Sequence, residues 1–207
     1  LLLSGVSHDL RTPLTRLRLG LAMLEHEDKE ALEKDVTEMQ ALIDEFLSFT
    51  RGQAEVQAHR KRLDIWQLVD DVVRQANVHT DRLVFSRPEA PLIMDVRPLS
   101  IRRAIDNLVS NGLRYANHVR ISGNIKHKTV QIHVEDDGPG IPEDKVKDAL
   151  KPFARLDSAR NQNFGTGAGL GLPIVADIAH AHGGQLKLSR SVTLGGLRAT
   201  FSLGLKK

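Results

Sequence analysis

The chain has 207 residues, of which 41% are hydrophobic, and this is enough for one large domain or two small ones with a buried core. It contains no cysteine, which excludes a disulfide framework and a thiolate metal site and fits a reducing compartment. Its 29 basic and 26 acidic residues are interspersed and only 4% of its residues are aromatic, so the composition argues against a nucleic-acid surface.

Membrane segments are not expected in this sequence. Its longest apolar runs are far shorter than the roughly 20 residues that a spanning helix needs. Residues 1–7 lack the basic start, the long apolar middle and the cleavage site of a signal peptide. We therefore expect a soluble fragment that neither spans nor enters a membrane.

Residues 3–57 carry apolar side chains at the three- and four-residue steps of an α-helix. The apolar stripe runs through Leu3, Val6, Leu10, Leu14, Leu17, Leu21 and Leu24, and then through Leu32, Val36, Met39, Ile43, Phe46 and Leu47. The short polar segment HEDKE at residues 26–30 interrupts this stripe, so two antiparallel helices are predicted. Because one hairpin buries only one seam, either two hairpins pair as a four-helix bundle in a homodimer, or the hairpin packs on its own C-terminal domain.

After a polar stretch at residues 51–62, strands alternate with helices, and we place a domain boundary between residues 1–57 and residues 58–207. Strands are predicted over 63–65, 82–86, 91–96, 119–122, 129–135, 185–189 and 198–203, and helices over 66–77, 98–116, 141–150 and 172–182. Gly183 and Gly184 are placed to end the last helix. Strand pairs without intervening helices predict a mixed sheet with helices on one face, so the second domain is an α/β sandwich and the whole chain is α+β.

The segment SHDLRTP at residues 7–13 is the first candidate for chemistry. His8 and Thr12 are one helical turn apart and share a face, while Asp9 flanks the imidazole. A neutral imidazole can attack phosphorus while a carboxylate orients its other nitrogen. Pro13 should bend the helix just beyond the histidine. The alternative is an ordinary surface or core histidine, but this combination of neighbours has no obvious packing role.

The segment NLVSNGLRY at residues 107–115 is the second candidate. Asn107, Asn111 and Tyr115 fall at four-residue intervals and form one polar stripe on the predicted helix, with Arg114 beside it. Carboxamide oxygens suit Mg²⁺, which prefers oxygen ligands, and Tyr115 could stack on a base. The alternative is a pair of solvated asparagines.

The segment DDGPGIP at residues 136–142 directly follows a predicted strand. Gly138 and Gly140 allow a ligand to approach the backbone closely, and a buried carboxylate there could accept a hydrogen bond from an exocyclic amine. The alternative is an ordinary Asp-Gly turn, and the spacing is not that of a calcium loop.

The segment GTGAGLGL at residues 165–172 opens the last predicted helix, where free backbone amides and the helix dipole favour an anion. Its candidate binding residues are Gly165, Thr166, Gly167, Gly169, Leu170, Gly171 and Leu172. The segment is neither the dinucleotide fingerprint, which follows a strand, nor a P-loop, which needs a following Gly-Lys-Ser/Thr.

In this order, the four segments resemble the histidine-kinase family, which combines a dimerisation and phosphoacceptor hairpin with a Bergerat-type ATP-binding domain. The resemblance covers essentially the whole chain. It matches residues 8–13 to the phosphoacceptor motif, 107–115 to the asparagine motif, 137–140 to the first glycine motif, KPF at 151–153 to the phenylalanine motif and 167–171 to the second glycine motif. By this resemblance ATP and Mg²⁺ are the cofactors, Asn111 holds the metal, Asp137 binds the adenine amine and the glycine loop closes over the triphosphate.

The resemblance implies an enzyme that phosphorylates His8 from ATP and passes the phosphoryl group to an aspartate of a response regulator receiver domain. It also implies a phosphatase of that regulator, for which Thr12 could orient a water, and a homodimer that binds no nucleic acid. The fragment would be the cytoplasmic portion of an inner-membrane sensor. The alternatives are a scaffold without activity and a nucleotide-gated clamp of the gyrase or chaperone type, against which residues 7–13 argue.

The sequence departs from the family pattern at three places. Gly112 stands where alanine is common, which loosens a helix by about 1 kcal/mol. Arg114 stands where lysine is frequent, and the segment NQNF at residues 161–164 makes a short lid over the nucleotide.

Overall fold

The structure is a computed structural model that describes residues 15, 17, 19–21, 32, 36, 37, 39, 43, 59–78, 80–126, 128–154 and 169–205. The strands are β1 (Lys61–Asp64), β2 (Leu83–Ser86), β3 (Ile93–Val96), β4 (Val119–Lys126), β5 (Thr129–Asp136), β6 (Leu186–Arg190) and β7 (Leu197–Gly204). The helices are α1 (Ile65–Ala76), α2 (Pro98–Tyr115), α3 (Val146–Ala149) and α4 (Gly171–Ala181), and a 3₁₀ turn over Glu143–Lys145 precedes α3.

Five strands form the main sheet in the order β2-β4-β5-β7-β6. The β2–β4 pair is parallel and the other pairs are antiparallel, which confirms the predicted mixed sheet. The predicted strands at 63–65 and 91–96 correspond to β1 and β3, which pair with one another as a separate antiparallel ribbon. That pairing brings together segments about 30 residues apart, which local patterns in a sequence do not predict.

Helices α1, α2 and α4 share one hydrophobic core with the inner face of the main sheet. Side chains alternate between the two faces of a strand, and Val130, Ile132 and Val134 of β5 all lie in this core. The outer face of β5 carries the polar residues Gln131, His133 and Glu135. The helices therefore lie on one side of the sheet, as the α/β sandwich requires.

Local signals explain where these helices begin and end. The Asp64 side chain caps α1 by accepting from the amide of Trp66, and Pro98 occupies the first turn of α2. Helix α4 ends as predicted, because Gly183 has a φ of +70° and the Gly184 amide bonds to the carbonyl of Ala179. The helix predicted over 141–150 is shorter, since only residues 143–149 are helical and the first three form a 3₁₀ turn.

The described residues of the N-terminal segment are all helical. Leu21 and Val36, one from each predicted helix, are buried together, and Ile43 packs against them. This contact is the seam that an antiparallel hairpin requires. Within the described part of the chain, no helix combines the length and the hydropathy needed to cross a bilayer.

Candidate nucleotide site

Helix α2 carries the asparagine stripe on a face that is only half-buried. It buries Ile101, Ile105 and Leu108 in the core, so Asn107 and Asn111 lie to one side of that contact. The Asn107 amide nitrogen donates to the carbonyl of Arg103 at 2.9 Å. The Asn111 carboxamide makes no hydrogen bond with a described residue, so its oxygen is available to a ligand.

Three glycines bring the second, third and fourth candidate segments together. A Cβ atom at Gly138 would lie 2.8 Å from the carbonyl oxygen of Tyr115, and one at Gly171 would lie 3.3 Å from Oδ1 of Asn107. Gly169, with a φ of +72°, lies against the carbonyl of Ala154. The first glycine turn, the C-terminal half of α2 and the N-terminus of α4 therefore meet closely, with residues 153–154 beside Gly169.

Asp136, at the end of β5, is the buried carboxylate of this region. Its side chain is 5% exposed and continues the inner row of Val130, Ile132 and Val134. Oδ1 accepts hydrogen bonds from the Gly138 amide at 2.9 Å and the Leu197 amide at 3.0 Å. Among the described residues, none donates a hydrogen bond to Oδ2. Burial raises the pKa of Asp136, and the two amides oppose that shift.

Asp137 is engaged elsewhere, at the turn between α2 and β4. Its Oδ1 accepts from the amides of Asn117 at 2.8 Å and His118 at 2.9 Å, and its Oδ2 lies 2.8 Å from Nδ1 of His118. Hydrogen bonds from His118 and Asn117 lower the pKa of Asp137 to about 2. Both oxygens of the carboxylate that the sequence assigns to the adenine amine therefore already have partners.

The distinction between the two acids could have been drawn from the sequence. Residues 130, 132 and 134 are apolar and alternate with polar ones, so position 136 continues the inner face and position 137 does not. The Asp-Gly turn and the family resemblance point instead to Asp137.

The other predicted binding residues differ in the exposure and packing of their side chains. Arg114 is exposed and Tyr115 is half-buried, both in the last turn of α2. The Leu170 side chain is fully buried against Ile174, and that of Leu172 packs on the core. These two leucines could therefore contribute to a ligand site through their backbone. Gly140 has a φ of +72°, which suits glycine, and lies next to Gly196.

The remaining predicted site residues lie outside the described part of the chain, and their roles stay predictions. They are His8, Asp9, Thr12, Gly165, Thr166 and Gly167.

Two family models match separate parts of the sequence. Residues 96–207, more than half of the chain, match the histidine kinase-, DNA gyrase B- and HSP90-like ATPase family. Residues 1–55 match the His Kinase A (phospho-acceptor) domain. The chain belongs to the histidine kinase family. The predicted family, fold class and enzyme class are thereby confirmed.

Individual sensor histidine kinases are similar to this chain in sequence. The sensor histidine kinase CpxA of Escherichia coli K12 is 36% identical over 216 residues, which cover 100% of this chain and 47% of CpxA. The chain therefore spans about half the length of the curated relatives it matches.

Solved structures of histidine kinases share the fold. The ATP binding domain of PrrB from Mycobacterium tuberculosis has a TM-score of 0.58 and 28% identity, covering 72% of this chain and 98% of PrrB's. The histidine kinase domain of the E. coli osmosensor EnvZ has a TM-score of 0.55 and 33% identity, covering 71% of this chain and 89% of EnvZ's.

Proposed function

We propose that this histidine kinase phosphorylates its own His8 from ATP and passes the phosphoryl group to an aspartate of a response regulator receiver domain. The observation that carries the proposal is the convergence of the α2 asparagine stripe, the buried Asp136 and the N-terminus of α4. These features supply groups suited to a metal, an amine donor and phosphates, respectively. The match of residues 1–55 to a phospho-acceptor domain supports His8 as the second substrate, in the same chain.

Asp136, and not Asp137, is the residue that we assign to the adenine amine. The Asp136 side chain is buried, and no described residue donates a hydrogen bond to its Oδ2, so that oxygen can accept one from a ligand. Its other oxygen is held by the amides of Gly138 and Leu197, so the carboxylate is fixed in place before a ligand arrives. Both oxygens of Asp137 already have hydrogen-bond partners in the α2–β4 turn.

Asn111 fits the predicted magnesium site. Its carboxamide oxygen is a hard ligand, and it has no competing hydrogen bond with a described residue. Mg²⁺ commonly takes few ligands from protein and completes its shell with phosphates and water, so one or two carboxamides suffice. When bound, the ion neutralises charge on the phosphate oxygens.

The N-terminus of α4 is suited to phosphate, because its free backbone amides and the helix dipole favour an anion. Helix α4 begins at Gly171, and the preceding glycines allow the backbone to approach an anion closely. We assign residues 165–172 to the triphosphate, with Arg114 and Tyr115 at the end of α2 contacting the nucleotide from the other side.

The chemical step uses the hairpin residues. One nitrogen of neutral His8 attacks the γ-phosphorus, the bond from that phosphorus to the bridging oxygen breaks, and ADP leaves. Asp9 orients the other ring nitrogen and stabilises the positive charge that develops on the ring. Transfer to the regulator breaks the new P–N bond and forms an acyl phosphate on the regulator's aspartate. Thr12 orients water for the later hydrolysis of that acyl phosphate.

Two hairpins pair in the active molecule. Leu17, Leu32 and Met39 belong to the predicted apolar stripe and are 52%, 42% and 49% exposed in a single chain. A second hairpin would cover them in a four-helix bundle. The matching relatives are named sensors and are about twice as long, so we place this piece on the cytoplasmic side of a membrane-bound sensor.

The test is incubation of the chain with γ-labelled ATP and Mg²⁺, followed by acid treatment of the labelled protein. We expect acid-labile label, since phosphohistidine hydrolyses in acid, and none in His8→Gln. The nucleotide affinity of His8→Gln should stay within a few-fold of that of the unaltered chain, because His8 lies outside the ATPase domain. Acid-stable label, or label that persists in His8→Gln, would contradict the proposal.

A further inference from the structure

Asp137 and His118 join two corners of the candidate nucleotide site. One corner is the turn that leads from Tyr115, the last residue of α2, into β4. The other is the first glycine turn after β5. Besides the three hydrogen bonds to the carboxylate, the Asp137 amide donates to the carbonyl of His118 at 3.3 Å. Both residues therefore bind each other through backbone and side chain.

The turn after α2 depends on this carboxylate. The Ala116 amide bonds to the carbonyl of Gly112 and closes the helix, but Ala116 is itself extended, so the next amides point away from α2. Asp137 accepts from both of these amides, those of Asn117 and His118. A carboxylate that satisfies two successive amides holds the turn in one conformation.

The first glycine turn also contacts Tyr115 and Asp136, two of the candidate nucleotide-binding residues. Gly138, next to Asp137, lies against the carbonyl of Tyr115, and its amide holds Oδ1 of Asp136. A shift of residues 137–138 would thus move the adenine acceptor relative to the end of the asparagine stripe.

We propose that Asp137 is a positioning residue for nucleotide binding: through the Asn117–His118 turn it fixes the spacing between Tyr115 and Asp136. The His118 imidazole supports it with one hydrogen bond from an exposed position. This inference rests on the proposed role of Asp136 and assigns Asp137 no contact with ATP.

The experiment compares Asp137→Ala, Asp137→Asn, His118→Ala and Asp136→Asn in the full chain. It measures the affinity for a non-hydrolysable ATP analogue with Mg²⁺, and the KM and kcat of autophosphorylation. Asp137→Ala should raise KM for ATP by about tenfold with kcat within about threefold, because bound nucleotide still reacts normally. His118→Ala, which removes only the imidazole bond, should give a smaller rise in KM.

Rescue by asparagine separates positioning from direct contact. The carboxamide oxygen of Asp137→Asn can still accept from both turn amides, and its amino group can bond to an unprotonated Nδ1 of His118, so most of the affinity should return. Asparagine at position 136 should not preserve the affinity for nucleotide. In Asp136→Asn the single carboxamide oxygen is needed by the Gly138 and Leu197 amides, and the amino group would face the adenine amine.

Each other outcome is decisive. A lowered kcat with unchanged KM in both Asp137→Ala and His118→Ala would mean loss of folded protein only and would overturn the positioning role. Equal loss of affinity in Asp137→Ala and Asp137→Asn would make Asp137 a direct ligand and also overturn it. If Asp137→Ala binds normally while Asp136→Asn does not, the inference fails and the proposed function stands. If all four variants bind ATP normally, the proposed site itself is wrong.

Discussion

The edge of the Trp66 ring lies directly over Gly123, in the space that a side chain on Gly123 would occupy. Trp66 belongs to α1 and is 2% exposed, and Gly123 lies on β4 beneath it. A methyl group there would displace the ring and overpack the core, so Gly123→Ala should destabilise the ATPase domain by about 1–3 kcal/mol. Urea unfolding followed by fluorescence measures this directly, since Trp66 is the only tryptophan in the chain.

A matched control for this prediction is Ser122→Ala, which changes the neighbouring residue on the opposite face of β4. It should shift the unfolding midpoint little. Equal effects of the two substitutions would show that the Trp66–Gly123 contact does not limit the size of residue 123.

Gly112 and Val119 are a second packed pair, and they explain one departure from the family pattern. A Cβ atom at Gly112 would lie 3.0 Å and 3.2 Å from the two methyl carbons of Val119. Alanine improves helix propensity by about 1 kcal/mol, but the stiff valine opposes it, so Gly112→Ala alone should leave the free energy of unfolding nearly unchanged. The double variant Gly112→Ala/Val119→Ala should be more stable than the sum of the single changes by about 1 kcal/mol.

A double-mutant cycle in urea measures this coupling. Additive single and double effects would mean that the two residues do not compete for space, and that glycine at position 112 has another cause.

The pattern of side chains along the sequence was sufficient to predict most of the fold. The predicted strands at 119–122, 129–135 and 198–203 fall within β4, β5 and β7, and the Gly183–Gly184 pair located the end of α4, because these signals are local. The β1–β3 ribbon depends on a non-local pairing and was not predicted. At the first glycine turn, alternation along β5 places Asp136 on the inner face, but the hydrogen bonds that join Asp136 to Leu197 and Asp137 to His118 connect residues distant in the sequence, so local patterns do not predict them.

His182 predicts a dependence of stability on pH. It is 5% exposed, Nδ1 lies 2.8 Å from the carbonyl of Ile178, and Nε2 accepts from the Arg97 amide at 3.3 Å, which requires the neutral ring. Burial lowers the pKa of His182, and the charges of Arg60 and Arg97 lower it further, against the bond to Ile178. The unfolded chain therefore binds a proton at higher pH than the folded chain does.

The stability from this site is fully present above the unfolded histidine pKa of about 6.5 and is lost as pH falls through the lower, folded pKa. His182→Gln should be less stable at pH 8 but should show a smaller loss between about pH 7 and pH 5. His180→Gln, an exposed histidine on the same helix, is the control and should keep the original slope. Parallel curves for all three proteins would exclude His182 as a source of the pH dependence.

The proposed bundle predicts different effects for two exposed leucines of the first hairpin helix. Leu17 lies on the predicted stripe and Leu19 does not, although both are more than half exposed. Leu17→Glu should weaken dimerisation by about tenfold or more, because it places a charge in the bundle seam, whereas Leu19→Glu should have little effect. Sedimentation equilibrium gives both dissociation constants. Equal effects, or a monomeric parent chain at high concentration, would count against the bundle.

The kinase and phosphatase steps should separate on the first hairpin helix. Thr12→Ala removes only the group proposed to orient water, so autophosphorylation should stay within a few-fold while dephosphorylation of the regulator slows by about tenfold, or 1.4 kcal/mol. Asp9→Ala should show the reverse pattern, because Asp9 is the residue proposed to orient His8 for attack. Both rates are read from labelled protein over time, and joint loss of both in a folded Thr12→Ala would refute the division of roles.

The position of β7 inside the sheet determines when the ATPase domain can form during synthesis. Strand β6 is made before β7, yet its hydrogen-bonding partner in the sheet is β7, and β5 also needs β7 along its second edge. The Leu197 amide that fixes Asp136 comes from the same late strand. While residues 197–204 are still inside the ribosome, β5 and β6 each lack their β7 partner, and Asp136 lacks its hydrogen bond from Leu197. The sheet can therefore be completed, and the nucleotide site formed, only after β7 has emerged.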